Sequence, residues 1–170
     1  MDLKSKIRDV RDFPKPGIIF KDLTALLKDG EALQDAVKKM EMPFLKNKIG
    51  VVAGIESRGF ILGAIIARDL EVGFVPIRKK GKLPSKTVSA EYALEYGTDS
   101  IEMHADAIYR GQQVLIVDDL VATGGTAVAA AELVEKLGGK VAGFSFLVEL
   151  SFLKGREKLK GYNVHSVVVY

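Results

Sequence analysis

The period of the apolar positions changes several times along the chain, and each change marks an element. Between residues 2 and 12, Leu3, Ile7 and Val10 stand among charges at helical spacing, which predicts a short amphipathic helix. Asp12-Phe13-Pro14-Lys15-Pro16-Gly17-Ile18-Ile19-Phe20-Lys21-Asp22 follows, and its two prolines and glycine forbid a helix. That segment reads as irregular, with an apolar triplet that has no strand partner nearby. It serves equally as a lid over the core or as the apolar wall of a ligand pocket. Leu33, Val37 and Met40 restore helical spacing from Glu31 to Leu45, and Pro43 marks the end.

The first clear strand is Ile49-Gly50-Val51-Val52-Ala53-Gly54-Ile55, followed by a polar loop, Glu56-Ser57-Arg58-Gly59, and an apolar helix from Phe60 to Ala67. Val72 to Arg78 reads as a second strand, with enough helix before it for a right-handed parallel crossover. From Lys79 to Ala107 the pattern breaks down into what reads as a long loop, the kind of segment that covers a binding site. The apolar run Val114-Leu115-Ile116-Val117 then meets Asp118-Asp119 and the small, hydroxyl-bearing loop Leu120-Val121-Ala122-Thr123-Gly124-Gly125-Thr126. Ala127 opens an alanine-rich helix that ends near Leu137, and Val141–Val148 and Val164–Val169 are two further strands. Alternating strands and helices predict one α/β domain over residues 1–170, with a mostly parallel central sheet flanked by helices. Ligands of such sheets bind at the carboxyl ends of the strands.

Composition narrows the chemistry. A chain of 170 residues, 48% hydrophobic and 28% charged, is long enough to bury a core and is neither fibrous nor disordered. It has no cysteine, so thiolate metal sites, disulfides and cysteine nucleophiles are excluded, and the lone His104 and His165 do not make a metal site. No apolar run approaches the ~20 residues of a membrane span, and the start lacks the apolar core of a signal peptide. A cytoplasmic protein with no membrane partner is expected. The net charge of +3 hides two basic clusters, Arg78-Lys79-Lys80-Gly81-Lys82 after a strand and Lys154, Arg156, Lys158 and Lys160 later. The later cluster reads as a solvated face.

Val114 to Thr126 has the order of strand, loop and helix N-terminus, a natural anion site because first-turn amides are unpaired and the helix dipole favours negative charge. No G-x-x-x-x-G-K-[ST] serves it as a P-loop, and no G-x-G-x-x-G follows a strand, so a nucleotide triphosphatase and a dinucleotide oxidoreductase are poor readings. Two carboxylates beside a phosphate-shaped loop would repel a phosphate set directly against them. Either they hold a metal ion, or they accept hydrogen bonds from the vicinal hydroxyls of a sugar. A ribose 5-phosphate satisfies both halves: its phosphate meets the amides of Ala122, Thr123, Gly124, Gly125 and Thr126, and its diol meets Asp118 and Asp119.

These thirteen residues resemble the phosphoribosyl-diphosphate signature of the type I phosphoribosyltransferases. More narrowly, the chain resembles the adenine-using branch of that family in Asp12 to Asp22, Gly54 to Phe60, Ile77 to Pro84, Leu94-Glu95-Tyr96-Gly97 and Val148-Glu149-Leu150, all in family order. The resemblance implies the type I phosphoribosyltransferase fold with a small N-terminal hood, about residues 1–35. It implies a purine-salvage reaction in which adenine displaces pyrophosphate from phosphoribosyl diphosphate, giving AMP, with Mg2+ carried by the substrate's pyrophosphate and no direct protein ligand. Ser57, Arg58, Arg78, Lys79 and Lys82 match the family's pyrophosphate contacts, and the peptide between Glu56 and Ser57 is expected to be cis. Lys80 and Lys86 read as solvated charge.

Glu95 matches the family's proton-handling glutamate, although on sequence alone Glu91 is an equal candidate. Tyr92 and Tyr96 are expected to close the loop over the sugar, since water would otherwise trap the sugar cation. Phe20, with the backbone around Ile19 and Lys21, is expected at the adenine, and Leu150 on its opposite side. The family usually forms homodimers; the Phe60–Ala67 helix would supply part of an interface or simply pack in the core. Two other readings share the signature: transfer to a 6-oxopurine or orotate, and a non-catalytic phosphoribosyl-diphosphate sensor that binds nucleic acid. No helix-turn-helix is visible and the charge is modest, so no nucleic-acid partner is expected.

Overall fold

The computed structural model describes residues 1–94 and 97–170, which fall into two compact units, Met1–Lys39 and Met40–Tyr170. In the N-terminal unit a 3-10 turn, Lys4–Lys6, leads into β1 (Arg8–Arg11), which pairs antiparallel with β2 (Ile19–Asp22). The helix expected over residues 2–12 is therefore absent, and the apolar triplet does have a partner. The turn through Pro14, Pro16 and Gly17 brings Ile19 back against Arg11, and the ladder sets Arg8 opposite Asp22 and Asp9 opposite Lys21. Lys21 Nζ lies 2.7 Å from Asp9 and Arg8 Nε 3.6 Å from Asp22. Such cross-strand charge pairs, with a ladder of backbone hydrogen bonds, outweigh the marginal helicity of so short a segment.

A single turn, α1 (Thr24–Leu27), precedes α2 (Gly30–Glu41). Asp29 caps α2, its Oδ1 accepting the amides of Glu31 and Ala32, both at 3.2 Å, while its other oxygen receives Lys6 Nζ at 2.8 Å. The helix ends at Glu41, close to the Pro43 read as its end, and passes into a 3-10 turn at Met42–Phe44.

The larger unit contains β3 (Val51–Ile55), α3 (Arg58–Asp69), β4 (Gly73–Lys79), β5 (Thr87–Ala93), β6 (Thr98–His104), β7 (Gln113–Val121), α4 (Gly125–Lys136), β8 (Lys140–Glu149) and β9 (Val164–Val169). They form one sheet in the order β5-β6-β4-β3-β7-β8-β9. The five strands from β4 to β9 across the centre are parallel, and β6 and β5 extend the β4 edge antiparallel. This is the α/β architecture that the alternating pattern predicts. The stretch read as a long loop after Lys79 is instead a β-hairpin. Its strands alternate only weakly in polarity, and its entry is organised by a buried carboxylate: Glu102 accepts the amides of Gly81 at 3.1 Å and Leu83 at 3.3 Å and the hydroxyl of Thr87 at 3.2 Å.

Val114, Leu115, Ile116 and Val117 are wholly inaccessible, as an unbroken apolar run on a strand covered on both faces must be. Val51, Ala53, Val114 and Ile116 pack in one cluster with Ala127, Ala130, Ala131 and Val134 of α4, while α3 lies against β3 and β7. We expect Ile116→Ala to cost about 2–5 kcal/mol, the usual range for emptying a fully buried aliphatic site. An unchanged urea midpoint would contradict this account of the core.

Candidate active site

Strand β3 feeds α3 and then β4 on one side, whereas β7 feeds α4 and then β8 on the other, so the order of the sheet reverses between β3 and β7. Ligands of open α/β sheets sit in the crevice at such a point. The pairing of β3 with β7 ends at Gly54 opposite Val117, yet β7 continues along β8 as far as Val121 opposite Glu149. Asp118 and Asp119, read from the sequence as standing at a strand end, therefore lie within the strand, which runs on to Val121. One edge of the backbone there has lost its neighbour.

Past the acids the chain turns at Gly124, whose φ of +80° is the left-handed conformation that glycine adopts without penalty, and enters α4. A cavity of about 100 Å³ lies over this turn, lined by Asp118 and by Ala122, Thr123, Gly124, Gly125 and Thr126. A larger cavity of about 350 Å³ is lined by Glu56, Ser57, Arg58, Lys79, Tyr92, Asp118, Asp119 and Thr126. Asp118 and Thr126 line both. The five residues expected at a phosphate and the two expected at a diol are thus brought together, with three of the expected pyrophosphate residues at the second cavity.

Every one of the four expected pyrophosphate cations has a carboxylate partner. Arg58, at the start of α3, donates Nε to Asp119. Glu56 accepts Arg78 Nε at 3.1 Å, Lys82 Nζ at 2.7 Å and the Lys79 amide at 2.9 Å. Burial pushes the Glu56 carboxyl up, but the hydrogen bonds from Lys82, Lys79 and Arg78 outweigh it and its pKa lies below the ordinary range. Lys79 Nζ sits 3.0 Å from Asp99, whose hydrogen bond from that ammonium lowers its pKa. Glu56 and Asp99 were not legible as site residues, because their partners lie 22 to 26 positions away for Glu56 and on a neighbouring strand for Asp99. The Glu56–Ser57 peptide is cis, as expected.

Asp118 lines the cavity wall but is crowded by protein atoms, and its carboxyl is pushed well up, first by lost hydration and then by the charge of Asp119 and the hydrogen bond between the two. It holds a proton more readily than a free aspartate. Tyr92 Oη donates to Asp99 at 3.1 Å, and Tyr92 lines the larger cavity together with Thr126 of the phosphate-shaped turn. Glu91, one residue earlier on β5, is exposed. Glu95, the expected proton-handling residue, and Tyr96 lie outside the described residues. Lys80 and Lys86 are exposed, as expected.

The residues expected at the base lie in different units. Ile19, Phe20 and Lys21 form most of β2, where the Phe20 ring meets Phe13 edge-on at 5.2 Å. Leu150 leaves β8 with its amide 3.0 Å from the Val121 carbonyl. In α3, Leu62, Gly63, Ile66 and Ala67 are buried and Ile61 is 46% exposed. The later basic cluster is not wholly a solvated face. Arg156 forks onto Glu149, with Nη2 at 2.5 Å from Oε2 and Nε at 3.0 Å from Oε1, and Nη1 donates to the Val164 carbonyl at 2.7 Å. Glu149 is 6% exposed at the end of β8, and a carboxylate buried there requires such a partner.

The family model of the phosphoribosyl transferase domain matches residues 23–168. An adenine phosphoribosyltransferase of Acetivibrio thermocellus is 58% identical over 171 aligned positions that span the whole of both chains. The structure superposes on that of an adenine phosphoribosyltransferase from Thermoanaerobacter pseudethanolicus with a TM-score of 0.96 and 52% identity, covering 99% of this chain and 98% of the other. A Saccharomyces cerevisiae adenine phosphoribosyltransferase, solved in complex with an imino-altritol bisphosphate and adenine, gives a TM-score of 0.92 at 42% identity over 98% of this chain and 96% of its own.

The Arg156 hydrogen bond, outweighing the opposing effect of burial, holds the Glu149 carboxyl below its ordinary 4.5. A group depressed in this way stabilises the fold fully above its unfolded pKa, and the contribution disappears as pH falls through the folded value. We expect Glu149→Gln to lower the denaturation midpoint at neutral pH and to flatten its decline on acidification from about pH 5 downward. An acid limb parallel to that of the unaltered protein would contradict the assignment.

Proposed function

The chain belongs to the phosphoribosyltransferase family, within it to the adenine phosphoribosyltransferases, and we propose that the two adjoining cavities hold the two ends of phosphoribosyl diphosphate. The reaction transfers the 5-phosphoribosyl group to adenine and yields AMP and pyrophosphate in purine salvage. The observation that carries the assignment of the cavities is that Asp118 and Thr126 line both, so a substrate with one phosphate on the turn and a diphosphate among the cations must pass its ribose across the acids.

In this reading the 5-phosphate takes the amides of Ala122 to Thr126 and the hydroxyls of Thr123 and Thr126, a charge-assisted set at a helix start. The ribose hydroxyls donate to Asp118 and Asp119. Repulsion of the phosphate is reduced because Asp119 is paired with Arg58. Ser57, Arg58, Arg78, Lys79 and Lys82 receive the pyrophosphate. As the bond from C1 to the diphosphate oxygen breaks and N9 of adenine forms its bond to C1, charge accumulates on the leaving group, where fixed cations lower the barrier most. The proton of the attacking ring passes to Glu95. Ile19, Phe20, Lys21 and Leu150 are assigned to adenine, and the N-terminal residues to about 35 to the hood.

Magnesium belongs to the proposal. In this reading the diphosphate's own oxygens, hard ligands suited to Mg2+, would carry it and these cations would orient the complex. When bound it neutralises charge on the leaving group. A homodimer and a cytoplasmic location are also proposed; no helix among the described residues is long and apolar enough to cross a membrane.

Purified protein supplied with magnesium, phosphoribosyl diphosphate and labelled adenine should form AMP, while hypoxanthine, guanine, xanthine and orotate should give little product. A preference for one of those bases, or salt-dependent nucleic-acid binding without turnover, would replace this reading. For Glu95→Gln, kcat should fall by about 10²–10⁴-fold, the usual worth of a general base, with ribose 5-phosphate binding intact. Unchanged turnover would remove Glu95 from its role.

A further inference from the structure

The phosphate-shaped turn is pressed against a part of the chain that none of its expected contacts include. A Cβ placed on Gly155 would lie 2.2 Å from the Ala122 carbonyl oxygen, 2.9 Å from the Gly124 nitrogen and 3.0 Å from the Ala122 carbonyl carbon. Reciprocally, a Cβ on Gly124 would lie 2.5 Å from the Gly155 oxygen. Backbone meets backbone here, with no room for a methyl group on either side.

The nearer approach of oxygen than carbon means that the Ala122 carbonyl is directed at Gly155. In a trans peptide the N–H points opposite to the C=O. The Thr123 amide is therefore turned away from Gly155, and Thr123 itself lines the cavity over the turn. A peptide free to rotate would present either its donor or its acceptor to an anion; Gly155 leaves only the donor.

Gly155 is in turn fixed by its neighbour. Arg156 grips Glu149 through Nε and Nη2, the Val164 carbonyl through Nη1 and the Ser166 hydroxyl at 3.1 Å through Nη2. Those partners lie on β8 and β9, so the segment is tied to the rigid sheet rather than to the turn it presses upon.

We propose that Gly155 is a positioning residue for the phosphate site: anchored by Arg156, it sets the plane of the Ala122–Thr123 peptide so that the Thr123 amide faces the 5-phosphate. The proposal rests on the reading of the small cavity as the 5-phosphate site. It assigns Arg156 a part in binding although its side chain meets no substrate.

The test measures the two ends of the substrate separately, by calorimetric titration with ribose 5-phosphate and with pyrophosphate. For Gly155→Ala the dissociation constant for ribose 5-phosphate should rise about tenfold or more, the effect of losing one hydrogen bond to a charged group, with pyrophosphate binding unchanged. The KM for phosphoribosyl diphosphate should rise with it while the KM for adenine stays constant. Arg156→Met, which loosens the anchor without adding bulk at Gly155, should show the same selectivity in weaker form, and Arg156→Lys should recover part of it. If Gly155→Ala does not fold, the Arg156 pair decides the matter. Equal losses for both ligands, or no loss for ribose 5-phosphate in folded variants, would overturn the proposal. Failure of the unaltered protein to bind ribose 5-phosphate would instead overturn the reading beneath it.

Discussion

Strand β7 outlasts β3, and the site is built in the gap this leaves. While the two strands run side by side, from Val51 opposite Val114 to Gly54 opposite Val117, the residues between them are buried hydrocarbon. Beyond that point β3 peels away toward α3, whereas β7 keeps its ladder with β8 to Val121. Asp118 and Asp119 thus have a rigid backbone and an open flank at once. Rigidity comes from the remaining ladder, and access comes from the missing one. The start of α3 delivers Arg58 to one acid, and the start of α4 delivers Thr126 to the wall of both cavities.

The same geometry explains how so many like charges share a small volume. Arg58, Arg78, Lys79 and Lys82 would repel one another if left bare, yet Asp119, Glu56 and Asp99 are interleaved with them. Partly exposed pairs of this kind contribute little net stability each. That weakness suits a binding site: a diphosphate that takes over a cation forfeits little by displacing its carboxylate, and the cation is already near its place. Preorganisation of this sort lowers the ordering cost of binding. It also gives Asp99 and Glu56 a reason to stand beside the cations proposed to receive the diphosphate.

How much of this the sequence disclosed follows from the range of the forces involved. Parallel strands buried on both faces announce themselves locally, because Val114 to Val117 need no partner to be recognised as apolar, and the turn after them is marked by Gly124 and Gly125. The order of elements from Ile49 to Arg78 and again from Val114 onward was legible for that reason, as was the cluster of Asp118, Asp119 and Thr123 to Thr126. Both hairpins were not. The ladder of Arg8–Arg11 with Ile19–Asp22 depends on charge matching across a turn, and that of Thr87–Ala93 with Thr98–His104 depends on pairing with β4 and on the buried Glu102. Neither dependence has a period in the chain. Resemblance to a family, rather than pattern, is what singled out Glu95 over Glu91.

The later basic cluster shows where a stricter physical reading of the sequence would have gone further. Lys154, Arg156, Lys158 and Lys160 look alike as a run of charge among polar residues, and most such runs are solvated. But Glu149 closes the apolar run Phe146 to Val148 on a strand whose neighbours cover it, so its charge had to be buried or nearly so. A buried carboxylate without a cation is far more costly than an exposed cation without a carboxylate. The demand therefore originates at Glu149, and the nearby cluster is the natural place for it to be met. Arginine meets it better than lysine, since only a guanidinium can fork onto a carboxylate and still reach a carbonyl and a hydroxyl, as Arg156 does. Arg156, in satisfying that carboxylate, anchors the residue next to Gly155, which packs against the turn at Ala122. A requirement of the core thereby reaches the surface where the phosphate is expected to bind.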